Sequence, residues 1–453
     1  MKIVFGNLVL TGKHQLFNIM KWMQLYLVIT LLLAFFGPID WKIRNPGLVV
    51  FYILSYQIML WLGYRFAMRK EAVGEVVIAS SSIEARKVKK ITNLIYIGII
   101  SDVLMTLRMA NSFNPMTIIS KVVNGITSPA SQYLTYNTEA NAGMLLGGGI
   151  FSLLVTLLSP LTLIAIILGV YFYKELKFDG KCSLYILILI HFCMNLISAA
   201  NEGIIDTAVV IIVPLFLRNQ NNMLSGTRKQ RKKINKKRKW MIIMLIISVV
   251  FVLSFFTSNI IGRTQGNFAF GTLGENKYNP DAPILQFIPK GLEVTLVYLS
   301  VYMCEGYYGF SLTTMVDWCP MFGAGFSSFI RNNLSSVLGV DLLQYTYQAH
   351  VEQISTWGAL RNFHTAYTFW ANDVSHIGVI PVMFIIGWVL AHYYKKSVKE
   401  CSLSSIVIMP FLIIQIFYLP LNNKIFAQPA SALIVLCVVG YDLIRYLRKG
   451  MRR

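Results

Sequence analysis

Five polar side chains crowd one short stretch, RNFHTAYTFWANDVSH: Arg361, His364, Asn372, Asp373 and His376. A guanidinium keeps its charge at any working pH and grips phosphate through two parallel hydrogen bonds, so Arg361 suits a departing pyrophosphate. His364 and Asp373 are groups that can take or give a proton. Upstream lie further candidates: Glu305 and Asp317 as carboxylates, Arg263 and Arg331 as phosphate-binding cations. Tyr307, Tyr308, Trp357 and Trp370 offer faces for a sugar ring. Plainer roles compete with these. Arg263 follows an apolar run and can snorkel to an interface, and membrane-interface belts recruit the same aromatics. Geometry adds a condition. On one helix Arg361, His364 and Thr368 share a face. His364 and Asp373, nine positions apart, point opposite ways at about 100° per residue. They meet only if the chain breaks near Trp370–Asp373.

The elements that hold these groups are membrane spans. Of 453 residues, 55% are hydrophobic and only 13% charged, half the usual charged share. Apolar runs near the roughly 20-residue length that crosses a bilayer recur at 22–38, 47–66, 91–107, 145–173, 183–199, 203–217, 241–262, 377–394, 404–420 and 428–446. Backbone groups in lipid must be satisfied internally, so these are helices. The expected fold is an all-α polytopic membrane protein with about ten transmembrane helices, eleven if a re-entrant segment at 291–310 is counted. Three parts follow: a bundle over 1–262, a large outside loop over 263–376, and a three-span part over 377–453.

The net charge of +21 gathers in loops. Ten Lys and Arg and no acid fall within 218–240. With YKELKFDGK, YYKKSVKE and RYLRKGMRR this run belongs on one side, the cytoplasmic side under the positive-inside rule. Both termini are then inside. A basic loop between two spans argues against nucleic-acid binding. GLEVTLVYLSVYMCEGYYGF (291–310) would reverse the tail if it crossed, so it is placed outside as a half-buried or re-entrant helix. Residues 263–376 carry eight of the chain's twenty acids and many aromatics, which points to a folded segment. A second outside loop over 109–143 is expected to cover it.

The cytoplasmic loops contain no phosphate-binding glycine loop and no acid-x-acid metal pair, and no metal or cofactor is expected. The six cysteines are scattered, without zinc spacing; Cys304 and Cys319 are either a pair or, on the preferred reading, two buried thiols. Energy for any transfer must therefore arrive with the substrate, as an activated lipid-linked donor.

TAYTFWANDVSHIGVIPVMFIIGW, the polar turn and apolar run NEGIIDTAVVIIVPLFL, and the tyrosine–glycine stretch VYLSVYMCEGYYGF together resemble the repeat-unit polymerases of O-antigen and related oligosaccharides, the Wzy type. Asp373 and Gly378 keep the places of that family's D-x-G-x-x-G, and Ser375 stands where its first glycine is usual. The resemblance implies a metal-independent, GT-C-like glycosyltransferase of the bacterial cytoplasmic (inner) membrane. It would join undecaprenyl-pyrophosphate-linked units into O-antigen, capsule or exopolysaccharide, and it allows for a chain-length regulator protein as partner. His364, Asp373 and Glu305 become the catalytic candidates. Arg263, Arg361, Arg331, Tyr307 and Trp370 become the substrate-binding ones. A lipid-linked oligosaccharide flippase or an O-antigen ligase are the alternatives; a flippase would place charges inside the spans, where Asp102 and Asp206 are the main ones.

Overall fold

A computed structural model describes residues 7–10, 18–69, 76–79, 85–141, 149–225 and 274–450, with a few isolated positions between them. Arg263 and nearly all of the expected span 241–262 lie outside the described residues. Eight helices lead the chain: α1 (Ile19–Phe36), α2 (Pro46–Arg69), α3 (Ala85–Ala110), α4 (Pro115–Thr127), α5 (Pro129–Asn141), α6 (Ile150–Tyr171), α7 (Phe178–Ser198) and α8 (Asn201–Ser225). Then follow α9 (Lys290–Thr313), α10 (Ser328–Leu338), α11 (Tyr347–Ile354), α12 (Ala366–Lys399), α13 (Leu403–Phe417), α14 (Lys424–Ala427) and α15 (Pro429–Gly450). Among the described residues, strands are confined to two short antiparallel pairs, Asn7–Leu10 with Val76–Ala79 and Ile39–Asp40 with Lys277–Tyr278.

Seven of these helices are long and apolar enough to cross a membrane: α1, α2, α3, α6, α7, α12 and α15. Their outward faces carry large apolar side chains, among them Leu25, Ile29, Phe51 and Ile58, which only lipid would solvate well. α13 is apolar but has 15 residues. α8 covers the expected span 203–217, carries Glu202, Asp206 and Arg218, and is not among the seven. The described residues thus carry a helical membrane bundle with fewer clear spans than the composition suggested.

Close packing of α2 on α12 forms the spine. A Cβ on Gly63 would sit 2.0 Å from Phe384 O, and one on Gly387 2.0 Å from Leu60 O. Only hydrogen fits at this crossing, the arrangement by which small residues let helices approach in lipid. The bundle's two ends differ. At one, Lys395 donates to Ala67 O at 2.7 Å, Arg218 makes two bonds to Glu175 at 2.6 and 2.8 Å, and Lys396 pairs with Asp442 at 3.3 Å. Asn221, donating to Val398 O at 2.7 Å, links the two groups of contacts; the basic run over 226–240 lies outside the described residues.

The α1–α2 connector marks the other end. Tyr278, opposite Ile39 in the strand pair, donates to Glu293 near the start of α9 at 2.8 Å. Near the finish of α9, Ser311 accepts the Arg44 backbone N–H at 3.1 Å. Both ends of α9 thus bear on residues 39–45 and their strand partner, and between them Cys304 and Tyr307 meet Thr30 of α1. The expected loop 109–143 is largely helical, as α4 and α5, with Asn114 capping α4 at 2.9 Å. Among the described residues no disulfide forms: Cys304 is buried and its thiol reaches the Thr30 carbonyl at 3.4 Å, and Cys319 is also a free thiol.

Candidate active site

The stretch from Arg361 to His376 is not one helix. Residues 359–365 form a turn and an extended run, and α12 begins only where the Thr365 hydroxyl accepts the Thr368 N–H. Arg361, His364 and Thr368 therefore do not line a helical face. Arg361 is exposed on the turn, and His364 is buried. A break does exist, but it falls at Ser375 (φ 61, ψ 171), after Asp373. Two helical segments, before and after Ser375, make up α12, which explains why it starts eleven residues ahead of the expected span. A β-carbon is disfavoured at such a φ, ψ combination, which glycine adopts freely.

Asn372 and Asp373 fasten loops onto this first segment. One Asp373 oxygen accepts the N–H of Gly323 at 2.7 Å and of Gly325 at 3.0 Å; the other accepts that of Phe326 at 2.7 Å. Three charge-assisted bonds occupy the carboxylate and hold the 321–326 turn. Asn372 accepts the Tyr347 N–H at 2.9 Å and donates to Gln348 at 3.1 Å. These loop contacts were not legible in sequence; the glycine pair in FGAGF was their one signal.

Beside the start of α12, α9 packs against the turn before His364 in a buried cluster of side chains. Trp357 meets His364 edge to face at 5.0 Å, and Tyr308 meets Trp357 likewise at 5.3 Å. Trp41 stacks on Tyr308 at 6.0 Å. This ladder runs inward from the exposed Arg44–Glu275 pair (2.6 Å), where Tyr308 donates to Glu275 at 2.9 Å. α9 can approach because of its glycines: a Cβ on Gly309 would lie 2.5 Å from Trp357 Cη2 and 3.0 Å from His364 Nδ1.

Three polar atoms in the cluster are buried without a hydrogen bond: Glu305 Oε1, Trp357 Nε1 and His364 Nδ1. The Trp357 indole and the Phe363 N–H face the Glu305 carboxyl and lower its proton affinity, without either meeting Oε1 in a hydrogen bond. Burial outweighs them and pushes Glu305 up to about 8. Burial also depresses His364 to about 4, against a smaller opposing effect of the Ala359 carbonyl. His364 Nε2 lies 2.8 Å from that carbonyl and so must carry the ring proton, leaving the lone pair on Nδ1. Buried polar atoms without partners are costly, and others of the kind lie elsewhere in the described residues, among them Ser101 Oγ and Tyr394 Oη.

The remaining candidates fall elsewhere. Tyr307 is fully buried, its hydroxyl 3.0 Å from that of Thr30, and seals α9 against α1. Trp370 and Asp373 face a groove of about 610 Å³ along α12, α13 and α15. Arg331, on α10, is buried, its Nε has no hydrogen-bond partner, and burial lowers its pKa against the pull of Asp341. His376 packs between Tyr347 and Phe310, with Nε2 3.1 Å from the Thr313 hydroxyl. The structure thus gathers Glu305, Trp357 and His364, places Arg361 on the adjoining turn, and sets Asp373 and Trp370 on the groove, with Arg331 apart on α10. Among the described residues no three His, Cys, Asp or Glu side chains converge to hold a metal ion.

Comparison with known proteins finds no matching family model, curated protein or solved structure.

Proposed function

We propose that this chain is a membrane glycosyltransferase that joins lipid-pyrophosphate-linked oligosaccharide units into a polysaccharide. In this reading ten spans cross the bacterial cytoplasmic membrane, both termini are cytoplasmic, and residues 263–376 lie outside. The buried cluster of Glu305, Trp357 and His364, with Arg361 exposed on the adjoining turn, supports it best. The reaction needs a base that is buried yet near its titration point, and a cation for the leaving group.

The acceptor hydroxyl oxygen attacks the donor's anomeric carbon, and that carbon's bond to the pyrophosphate oxygen breaks. The pyrophosphate leaves with the bonding pair and meets Arg361. The hydroxyl proton passes to Glu305, whose burial makes it far more basic than an exposed carboxylate. His364 accepts a hydrogen bond at Nδ1 and orients a sugar hydroxyl. Asp373, its oxygens taken by three amides, positions the loop and does not touch the reacting atoms.

A lipid-linked oligosaccharide transporter is the second reading. The observation in its favour is the pairs within the bundle: Asp102 with His191 at 2.9 Å, and Lys424 with Glu202 at 2.8 Å and Asp206 at 3.6 Å. Intramembrane ionisable groups often line a transport path, but here each is engaged by a partner. A deletion strain separates the two. The transferase reading expects single-unit glycolipid to accumulate on the outer leaflet; accumulation on the inner leaflet would favour transport.

A further inference from the structure

α4 and α5 form a helical hairpin, and each turns a polar stripe toward the other. Thr117, Ser120 and Asn124 recur at helical spacing on α4, as do Ser131, Gln132 and Thr135 on α5, and together they line a cleft of about 590 Å³. Its volume falls within the roughly 300–1,000 Å³ typical of ligand sites. Facing polar stripes would ordinarily close by bonding to each other. Here, among the described residues, one side-chain link joins the two helices: Lys121 donates to both Glu139 oxygens, at 2.9 and 2.7 Å. The side chains of Ser120, Asn124 and Ser131 make no hydrogen bond among the described residues.

Gln132 gives the cleft a fixed acceptor. It is 4% exposed, and its Nε2 donates to Ile197 O near the finish of α7 at 2.8 Å. That bond locks the amide and leaves Oε1 without a hydrogen bond among the described residues. The hairpin docks on α7 at a second point, where a Cβ on Gly125 would lie 2.1 Å from Leu196 O. A short run of contacts leads from here to the Glu305 cluster. Glu202, at the start of α8, pairs with Lys424 at 2.8 Å, and Leu419 O accepts the Ala366 N–H at the start of α12 at 2.9 Å. Cleft and cluster therefore occupy the same end of the bundle. The back of α4 exposes Ile119, Val123 and Ile126, and an amphipathic helix of this kind suits the membrane interface.

The open groups on the cleft are hydroxyls and amides, which together donate and accept. The one cation that lines it, Lys121, is already neutralised by Glu139. A phosphate or carboxylate would find no unpaired charge here, whereas a sugar chain would find a partner for hydroxyl after hydroxyl. We infer that the α4–α5 cleft binds an uncharged stretch of the growing glycan, apart from its reacting end. The inference rests on the transferase reading for the identity of the glycan.

The test follows the fluorescence anisotropy of an end-labelled oligosaccharide, cut from the cells' own surface polysaccharide and freed of lipid, with the full chain in phospholipid nanodiscs. Wild type should bind it, with an affinity that added salt leaves unchanged. Ser120→Trp and Ser131→Trp, both at exposed positions, fill the cleft, and Asn124→Leu keeps the side chain's size while removing its hydrogen bonds. Each should weaken binding about tenfold or more, the loss of one or two hydrogen bonds. Ile119→Trp, on the opposite face of α4, should bind as wild type does. No binding by wild type, undiminished binding by the cleft variants, or binding that salt abolishes would overturn the inference, the last by pointing to a charged ligand. Because the probe carries no pyrophosphate, binding is read apart from transfer. Binding by a chain that makes no polymer supports the cleft and contradicts the transferase. Polymer formation without binding overturns the cleft alone.

Discussion

The Trp357 indole stands edge-on to the His364 imidazole, ring centres 5.0 Å apart, and fills the space that Gly309 leaves open. This contact decides how the cluster is built, because it brings α9 against a turn some fifty residues later in the chain. It also yields the first prediction. Gly309→Ala puts a methyl 2.5 Å from Trp357 Cη2, and overpacking of this kind costs about 1–3 kcal/mol. Thermal unfolding in detergent should show a lower midpoint, and polymer yield should fall with it. An unchanged midpoint would mean the ladder is looser than described.

Glu305 should impose a pH dependence of known sign. Its ordinary pKa of 4.5 rises to about 8 on burial, so between those values the folded chain holds a proton that the unfolded chain has lost. Stability from this group therefore falls as pH climbs through that window, by about 1.4 kcal/mol per unit. Activity moves the other way and rises toward pH 8 as the base ionises. Glu305→Gln should flatten the stability profile and abolish transfer; pH-resolved unfolding and product gels check both.

Ser375 holds a backbone conformation that glycine tolerates and a side chain does not. Ser375→Gly should raise stability by about 1 kcal/mol, the relief of strain less the entropy gained by the unfolded chain. Ser375→Val should lower it. Denaturant midpoints that move in the opposite order would contradict the break in α12.

Asp373 is expected to act through the loop it holds. Asp373→Asn keeps the shape and removes the charge that three amides share, which is worth about 2–3 kcal/mol locally. Hydrogen exchange at residues 323–326 should quicken, with a drop in turnover and little change in the affinity of the acceptor. Unchanged exchange would refute the clamp.

Much of the membrane architecture was legible in the sequence, because apolar runs such as 47–66 and 183–199 have no alternative to a helix in lipid. A break near Trp370–Asp373 is what His364 and Asp373 would need to meet; the break in α12 occurs at Ser375, beyond Asp373, and does not join them. The helical face of Arg361 and His364 was not formed: Ala359 O captures the imidazole, and the turn after Gly358 separates the two residues. Tyr307 read as a sugar platform, but its burial depends on α1, 277 positions away. Periodicity carries no information about contacts of that range.

The most direct test of the transferase reading is chain growth in proteoliposomes holding the purified chain and its lipid-linked repeat unit. Wild type should build long polymers. Arg361→Ala, a change on an exposed turn, should leave the protein folded and cut extension at least a hundredfold, with the single-unit lipid unconsumed. Wild-type chain lengths from Arg361→Ala, or no extension by the wild type, would contradict the account.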